Sequence, residues 1–406
     1  MPADHAADAA VPDRNGRDGN AQIIATVFVT FVGYLTIGVP LAVLPTYVHG
    51  TLGYGTVMAG FVVSIQYIAT VLTRAQVGRI ADTRGPKLTV IWGLAAGLAS
   101  GALLLASALL AGLPPLSLGV LLASRLALGI GESLIGTGAI AWAIGRVGPE
   151  YTARIIAWNG VSTYGALAVG APAGVFLMGS FGFASLGVGV MLLAAIGLAI
   201  ALPKPATPMV GSDGRLGVGK VLSRVLLPGI ALALATAGFG TITTFIALFY
   251  ASRHWEGAAF ALSVFGLAFM ACRLLLAETI NLFGGPKVAI ASLALQFVGL
   301  MVVWAAAGPG TALAGAGLAG FGFSLVFPAI GVQAVASVPA ANRGSALGLY
   351  SMFLDVSLGI TGPAAGLIAS RFTPATPFLF GSIATLASLA ITLLLAAGSR
   401  SGMRGA

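Results

Sequence analysis

Gly85-Pro86-Lys87 returns as Gly285-Pro286-Lys287, and Gly129-x-Gly131-x-Ser133-Leu134 returns in the same order as Gly320-x-Gly322-x-Ser324-Leu325. Two landmarks repeated in order within an apolar chain predict one helical unit present twice. The landmarks lie closer together in the second copy, which shortens the ninth helix and its exit loop. Paired bundles facing one another enclose a site near the bilayer midplane, a construction suited to moving a solute across a membrane.

Composition sets the solvent. Of 406 residues, 58% are hydrophobic and 8% charged, and the mean hydropathy is +1.01. A water-soluble domain has no use for so apolar a surface. A span of hydrocarbon takes about 20 apolar residues, so twelve spans and short loops consume most of the length. The expected fold is an all-α polytopic membrane protein with twelve transmembrane helices in two pseudo-symmetric six-helix bundles.

Apolar runs place the helices at 21–48, 57–77, 88–111, 116–145, 155–179 and 184–202, then at 225–250, 257–279, 288–307, 312–338, 344–370 and 377–397. This divides the chain into a disordered tail (1–20), a first bundle (21–202), a linker (203–224), a second bundle (225–398) and a short tail (399–406). The first twenty residues hold four aspartates and two arginines without an apolar core, so they do not form a cleavable signal. The linker, with Pro203, Pro205 and Pro208, needs reach rather than structure.

With the N-terminus inside, the inner loops collect nearly all cations, Arg74 and Arg273 counted among them, and only Arg253 and Arg371 fall outside. That asymmetry predicts both termini in the cytoplasm. The net charge of +9 is spread thinly over loops, which argues against nucleic acid as a partner. A lone Cys272 excludes an internal disulfide and a thiolate cluster. Neither a metal site nor a cofactor is expected. No GxxxxGK[ST] segment is present, so ATP hydrolysis does not supply the energy.

Few ionisable residues fall at membrane depth. Arg125 and Glu132 share the fourth helix about two turns apart, on one face. A charge at the centre of a lipid-facing helix costs about 2.5–3.5 kcal/mol, so each should face a wet cavity or a partner. Oil and a nearby cation act on Glu132 in opposite senses, so its proton could follow conformation; a static Arg125–Glu132 bridge is the alternative. Asp355, midway along the eleventh helix, is the other deep acid, with Tyr164 near its repeat position. It either crosses the cavity from Glu132 or is satisfied by Ser351, Ser357 and Thr361 on its own helix.

Helices three, six and twelve are almost wholly apolar, and helix nine adds only Gln296, so every third helix suits the lipid perimeter. Polar side chains concentrate on the others. Gln66, Tyr67, Trp142, Asn159, Tyr164 and Gln333 are candidates to line a substrate cavity. Gly165, Gly170, Pro172 and Gly174 in helix five, with Gly362 and Pro363 in helix eleven, offer either close packing or points of bending.

The segment Gly78-Arg79-Ile80-Ala81-Asp82-Thr83-Arg84-Gly85-Pro86-Lys87 resembles the GxxxDxxGxK loop of the major facilitator superfamily. The resemblance implies a cytoplasmic latch in which Asp82 engages the neighbouring bundle, with Gly78, Arg79, Arg84, Gly85 and Lys87 around it. In the second copy Leu282 stands where Asp82 maps, which denies that copy a matching latch. Arg125 and the glycines after it resemble the superfamily's fourth-helix motif, which implies a part for Arg125 in proton transfer or anion contact. The Gly and Pro-rich stretch of helix five is similar to the family's antiporter motif, although Ala171 replaces the glycine before Pro172. Gln66-Tyr67-Ile68-Ala69-Thr70 with Thr73-Arg74, and Gly129-x-Gly131-Glu132-Ser133-Leu134 with Gly136-Thr137-Gly138, look like the YhhS/YfcJ branch, the similarity covering residues 21 to 400.

Together these readings anticipate a monomeric transporter of the bacterial inner membrane, most simply a proton-coupled exporter of a small organic solute. A symporter or facilitator importing a nutrient is the nearest alternative. An enzyme is disfavoured because His5, His49 and His254 lie in the tail or outer loops, with no nucleophile and base paired at membrane depth.

Overall fold

The computed structural model describes residues 14–148, 151–207, 218–336, 338 and 343–402. Twelve helices among them are long and apolar enough to cross a bilayer. In the first half these are α1 (Arg14–Leu41), α2 (Thr56–Arg84), α3 (Pro86–Leu109), α4 (Pro114–Val147), α5 (Thr152–Phe181) and α6 (Ala184–Ala201). In the second they are α7 (Val218–Ser252), α8 (Ala258–Leu276), α9 (Gly285–Trp304), α10 (Pro309–Ser324 continued by Val326–Ala336), α11 (Arg343–Arg371) and α12 (Thr376–Gly402). No strand occurs among the described residues.

Three boundaries differ from the sequence reading. The first helix starts at Arg14, so residues 14–20 belong to it and only 1–13 lie outside the described residues. Likewise α7 begins at Val218 inside the expected linker, and α12 runs on to Gly402. Each extension carries a helix past the apolar run into polar sequence, where backbone hydrogen bonding continues without hydrophobicity to mark it.

Turn chemistry explains the sharp corners. Gly85 and Gly284 adopt φ of +93° and +85°, a region closed to side chains with a Cβ, and a proline follows within the first turn of α3 and α9. The repeated Gly-Pro-Lys landmark is therefore a helix-reversal device. At the same corner Lys87 Nζ donates to Leu202 O (2.6 Å), and the Arg84 guanidinium lies 5.2 Å from the centre of the Trp92 ring. The linker's first residues are strapped to the first half as well. Lys204 donates to Ala25 O, and burial, with Arg146 adding, holds its ammonium below the usual lysine pKa.

The halves meet along two crossings, α2 against α11 and α5 against α8. Lipid supplies no hydrophobic force to join helices, so close backbone approach and polar ties do so. A Cβ placed on Gly60 would strike the Gly362 carbonyl, and one on Gly362 would strike that of Gly60. Thr56 Oγ1 donates to Gly366 O (2.9 Å). Ser64 Oγ donates to Leu358 O (2.7 Å) and accepts from Gly362 N (3.2 Å), so a first-half hydroxyl enters the backbone ladder of α11 one residue before Pro363. Across the other crossing, Ser263 Oγ donates to Ala168 O (2.7 Å). Pro172 has no N–H for that carbonyl, so α8 satisfies it instead.

These ties sit on the side away from the chain termini, and they close it. Toward the termini side, Gly78 has nothing within 4 Å of where a Cβ would stand, and Arg79 and Asp82 are exposed.

Candidate functional site

A cavity of about 250 Å³ lies between the halves. Its walls come from α1, α2, α4 and α5 on one side and α7, α8, α10 and α11 on the other, with no lining residue from α3, α6, α9 or α12. The lining residues occupy the middle and the termini-side halves of their helices, from Tyr34 and Phe239 to Ile140, Ile156 and Leu347, so the cavity opens on the termini side. A larger hollow of about 390 Å³ beside α8, α9 and α10 is lined mostly by apolar side chains, with Lys287 its one ionised group. The smaller one, between the halves and rich in ionisable groups, is the candidate site.

Glu132, Asp355, Tyr67, Asn159 and Tyr164 line this cavity. Arg125 does not; it is 1% exposed behind the wall. What joins it to Glu132 is Gln66. Gly129, between Arg125 and Glu132 on α4, faces the Gln66 carbonyl so closely that any Cβ there would collide. Thr70 Oγ1 seals the approach by donating to both Gln66 O and Gly129 O at 3.0 Å. The Gln66 side chain is thereby held between the two charged groups. Arg125 donates to Gln66 Oε1, and Gln66 Nε2 donates to Glu132 Oε2 (3.3 Å). Arginine carries donors only, so it fixes the amide with its oxygen inward and its NH2 toward Glu132, which must accept. The direct Arg125–Glu132 bridge is replaced by a relay, and Gln66, fully buried, serves the relay rather than the cavity wall.

Asp355 is satisfied by neither serine nor threonine. Ser351, Ser357 and Thr361 all donate to backbone carbonyls, while the Asp355 carboxylate pairs with Arg74 of α2. It is the one salt bridge among the described residues, and it crosses from one half to the other. Counting Arg74 with the loop cations concealed this. So it was with Arg273, which lines the cavity at 8% exposure. The Arg273 guanidinium lies 5.0 Å from the Phe269 ring centre and donates to Ser324 O. That carbonyl is free because Pro328, four residues on, has no N–H to offer it. The available signal was position: both arginines lie within apolar runs, near matching places of the repeat.

Two other candidates lie elsewhere. Trp142 is fully buried with Val29, Val90 and Ile135, and its indole N–H donates to Pro205 O (3.0 Å); an apolar ring with one donor found the linker. Gln333 is half-buried but absent from the cavity wall. Among the expected bending positions, Gly170 and Gly174 face the α1 backbone at Gly38 and Val39, Gly165 faces Met270 of α8, and α5 and α11 run unbroken through Pro172 and Pro363. Asp82 is exposed and makes no salt bridge among the described residues, because the halves are parted on its side.

A two-fold related pair of six-helix halves around a polar midplane cavity defines a solute transporter of the alternating-access class. The Major Facilitator Superfamily model matches residues 26–281 and 256–404. The chain is 52% identical over 395 residues to an uncharacterized MFS-type transporter of Burkholderia mallei (strain SAVP1), covering 97% of each. With one of Pseudomonas aeruginosa (strain UCBPP-PA14) it is 53% identical over 379 residues, covering 93% of this chain and 94% of the relative. Its fold is similar to that of the nucleoside transporter NupG (TM-score 0.73, 18% identity, 92% of this chain and 99% of that one). It is equally similar to the xylose transporter XylE from E. coli in an inward open conformation (0.73, 15%, 92% and 95%). The chain belongs to the major facilitator superfamily: it is a multi-pass membrane transporter, not an enzyme.

Proposed function

We propose that this transporter exports a small organic solute in exchange for protons, working as a monomer in the bacterial inner membrane with both termini in the cytoplasm. The observation that carries the reading is Glu132, an acid facing a cavity that is closed on one side and wired through Gln66 to a buried arginine. Arg79, Arg84, Lys87 and Lys287 stand at the termini side, with Arg253 and Arg371 opposite, which supports a cytoplasmic opening.

In this cycle solute enters from the cytoplasm while Glu132 is ionised and accepts the Gln66 N–H. Rocking of the halves breaks Arg74–Asp355 and the ties around Ser64 and Ser263, and carries the cavity to the other face. A proton taken there by Glu132 cancels the charge that Arg125 holds through Gln66 and permits return. Asp82, exposed now, would meet the second half when the cytoplasmic side closes, with Arg79, Arg84 and Lys87 around it. Gly165, Gly362 and Pro363 at the crossings, and Gly170, Pro172 and Gly174 along the same helix α5, are the small or donor-less positions on which helices slide.

Flux through Glu132→Gln in proteoliposomes tests the coupling: proton-driven transport is lost while folded protein remains in the membrane. Gradient-driven flux equal to wild type would remove Glu132 from the mechanism. Counterflow under an imposed pH gradient of known sign separates export from import.

A further inference from the structure

The cavity's charges do not balance. Three guanidiniums, Arg74, Arg125 and Arg273, line it or stand directly behind it, against two carboxylates, Glu132 and Asp355. Asp355 is taken by Arg74 and Glu132 by Gln66. Arg273 has no acid. It is more than nine-tenths buried, its Nε has no hydrogen-bond partner, and its one hydrogen bond among the described residues goes to an uncharged carbonyl, Ser324 O. A buried guanidinium without a counter-anion is costly unless something anionic arrives.

The surroundings favour such a visitor. Gly160 puts no side chain beside Arg273 Nη1, where an added Cβ would come into van der Waals contact with it at 3.4 Å. The neighbouring wall is aromatic, with Tyr164 stacked on Phe269 (centroids 3.6 Å apart) and Phe239 on Phe323 (5.4 Å). We propose that Arg273 is the anchor for an anionic group of the transported solute, and that the solute class is an organic acid with an aromatic or apolar body. The carboxylate, sulfonate or phosphonate would take the free Nη1 donors in a charge-assisted contact, while the body lies on the aromatic wall. An organic anion also leaves an inside-negative cell downhill in potential, which agrees with export. The tie to Ser324 O serves to hold the guanidinium at the wall, and it leaves the positive charge uncancelled.

This inference rests on reading the cavity as the transport site, but its test needs no proton gradient. Full-length protein in detergent is titrated with benzoate, benzenesulfonate, benzamide and benzylamine, following thermal stability and intrinsic fluorescence. Benzoate and the sulfonate are expected to bind, and the neutral and cationic analogues to bind at least about tenfold more weakly, the worth of one charge-assisted contact. Arg273→Gln should weaken benzoate about tenfold to a hundredfold and abolish its preference over benzamide, whereas Arg273→Lys keeps the preference. Should the Gln variant not fold, the analogue series on the wild type and the Lys variant decides. Equal binding of benzoate and benzamide, failure of every anion at millimolar concentration, or unchanged benzoate affinity in Arg273→Gln would overturn the proposal. Loss of proton coupling in Glu132→Gln with anion preference intact would concern the coupling alone.

Discussion

Replacing Asp355 by Asn removes a charge from the one salt bridge that joins the halves among the described residues, and should move the protein away from the conformation described. Two unit charges about 4 Å apart attract by about 4 kcal/mol at an effective dielectric of 20. The carboxylate is 4% exposed but the Arg74 side chain is 26% exposed at the cavity, so water screens one partner. Asparagine still accepts a hydrogen bond from Arg74, and it escapes the desolvation that the carboxylate suffers. A net loss of about 1.5–3 kcal/mol follows, a shift of roughly tenfold to a hundredfold in the balance of the two facings. The shift is readable because Cys272, the sole cysteine, is buried and replaceable by Ala. Spin labels at Thr51→Cys and Phe372→Cys, exposed on opposite halves of the closed side, should show a longer distance gaining population in Asp355→Asn. Labels at Leu347→Cys, in the open mouth, should become less accessible to a membrane-impermeant maleimide. Unchanged distances and unchanged labelling would refute the claim that this bridge biases the equilibrium.

Two further outcomes follow from the same geometry. Gln66→Leu leaves Arg125 buried without an acceptor, costing about 3–5 kcal/mol and lowering the melting temperature well below that of Gln66→Glu; equal melting of the two would mean that Arg125 does not depend on position 66. Gly362→Ala puts a methyl against the Gly60 carbonyl, so the α2–α11 crossing must open, costing about 1–3 kcal/mol; unaltered stability together with unaltered labelling on the closed side would show that the crossing is not tight.

Sequence reading went furthest where one residue type has one physical meaning. The Gly-Pro-Lys landmarks at 85–87 and 285–287 mark reversals, made by Gly85 and by Gly284 just before the second landmark, and their recurrence dictated the duplication. It went astray with arginine, whose charge reads the same whether it decorates a loop or faces a cavity. Arg273 lies near the inner end of α8 and Arg74 well inside α2, where counting charges and locating charges give different answers. Gln66 shows a third case: recognised as polar and deep, it became a relay because α4 crosses α2 at Gly129.

What the chain's own order of residues decided is the membrane as solvent, twelve spans, the duplication and the short list of deep ionisable groups, because hydropathy and turn chemistry act within a few neighbouring residues. Which of those groups touch was decided only by the packing of helices far apart in sequence. Asp355 found Arg74, Glu132 found Gln66, and Arg273 found no acid among the described residues, since side-chain partners depend on the rotation and crossing of whole helices, set by where glycines let backbones meet.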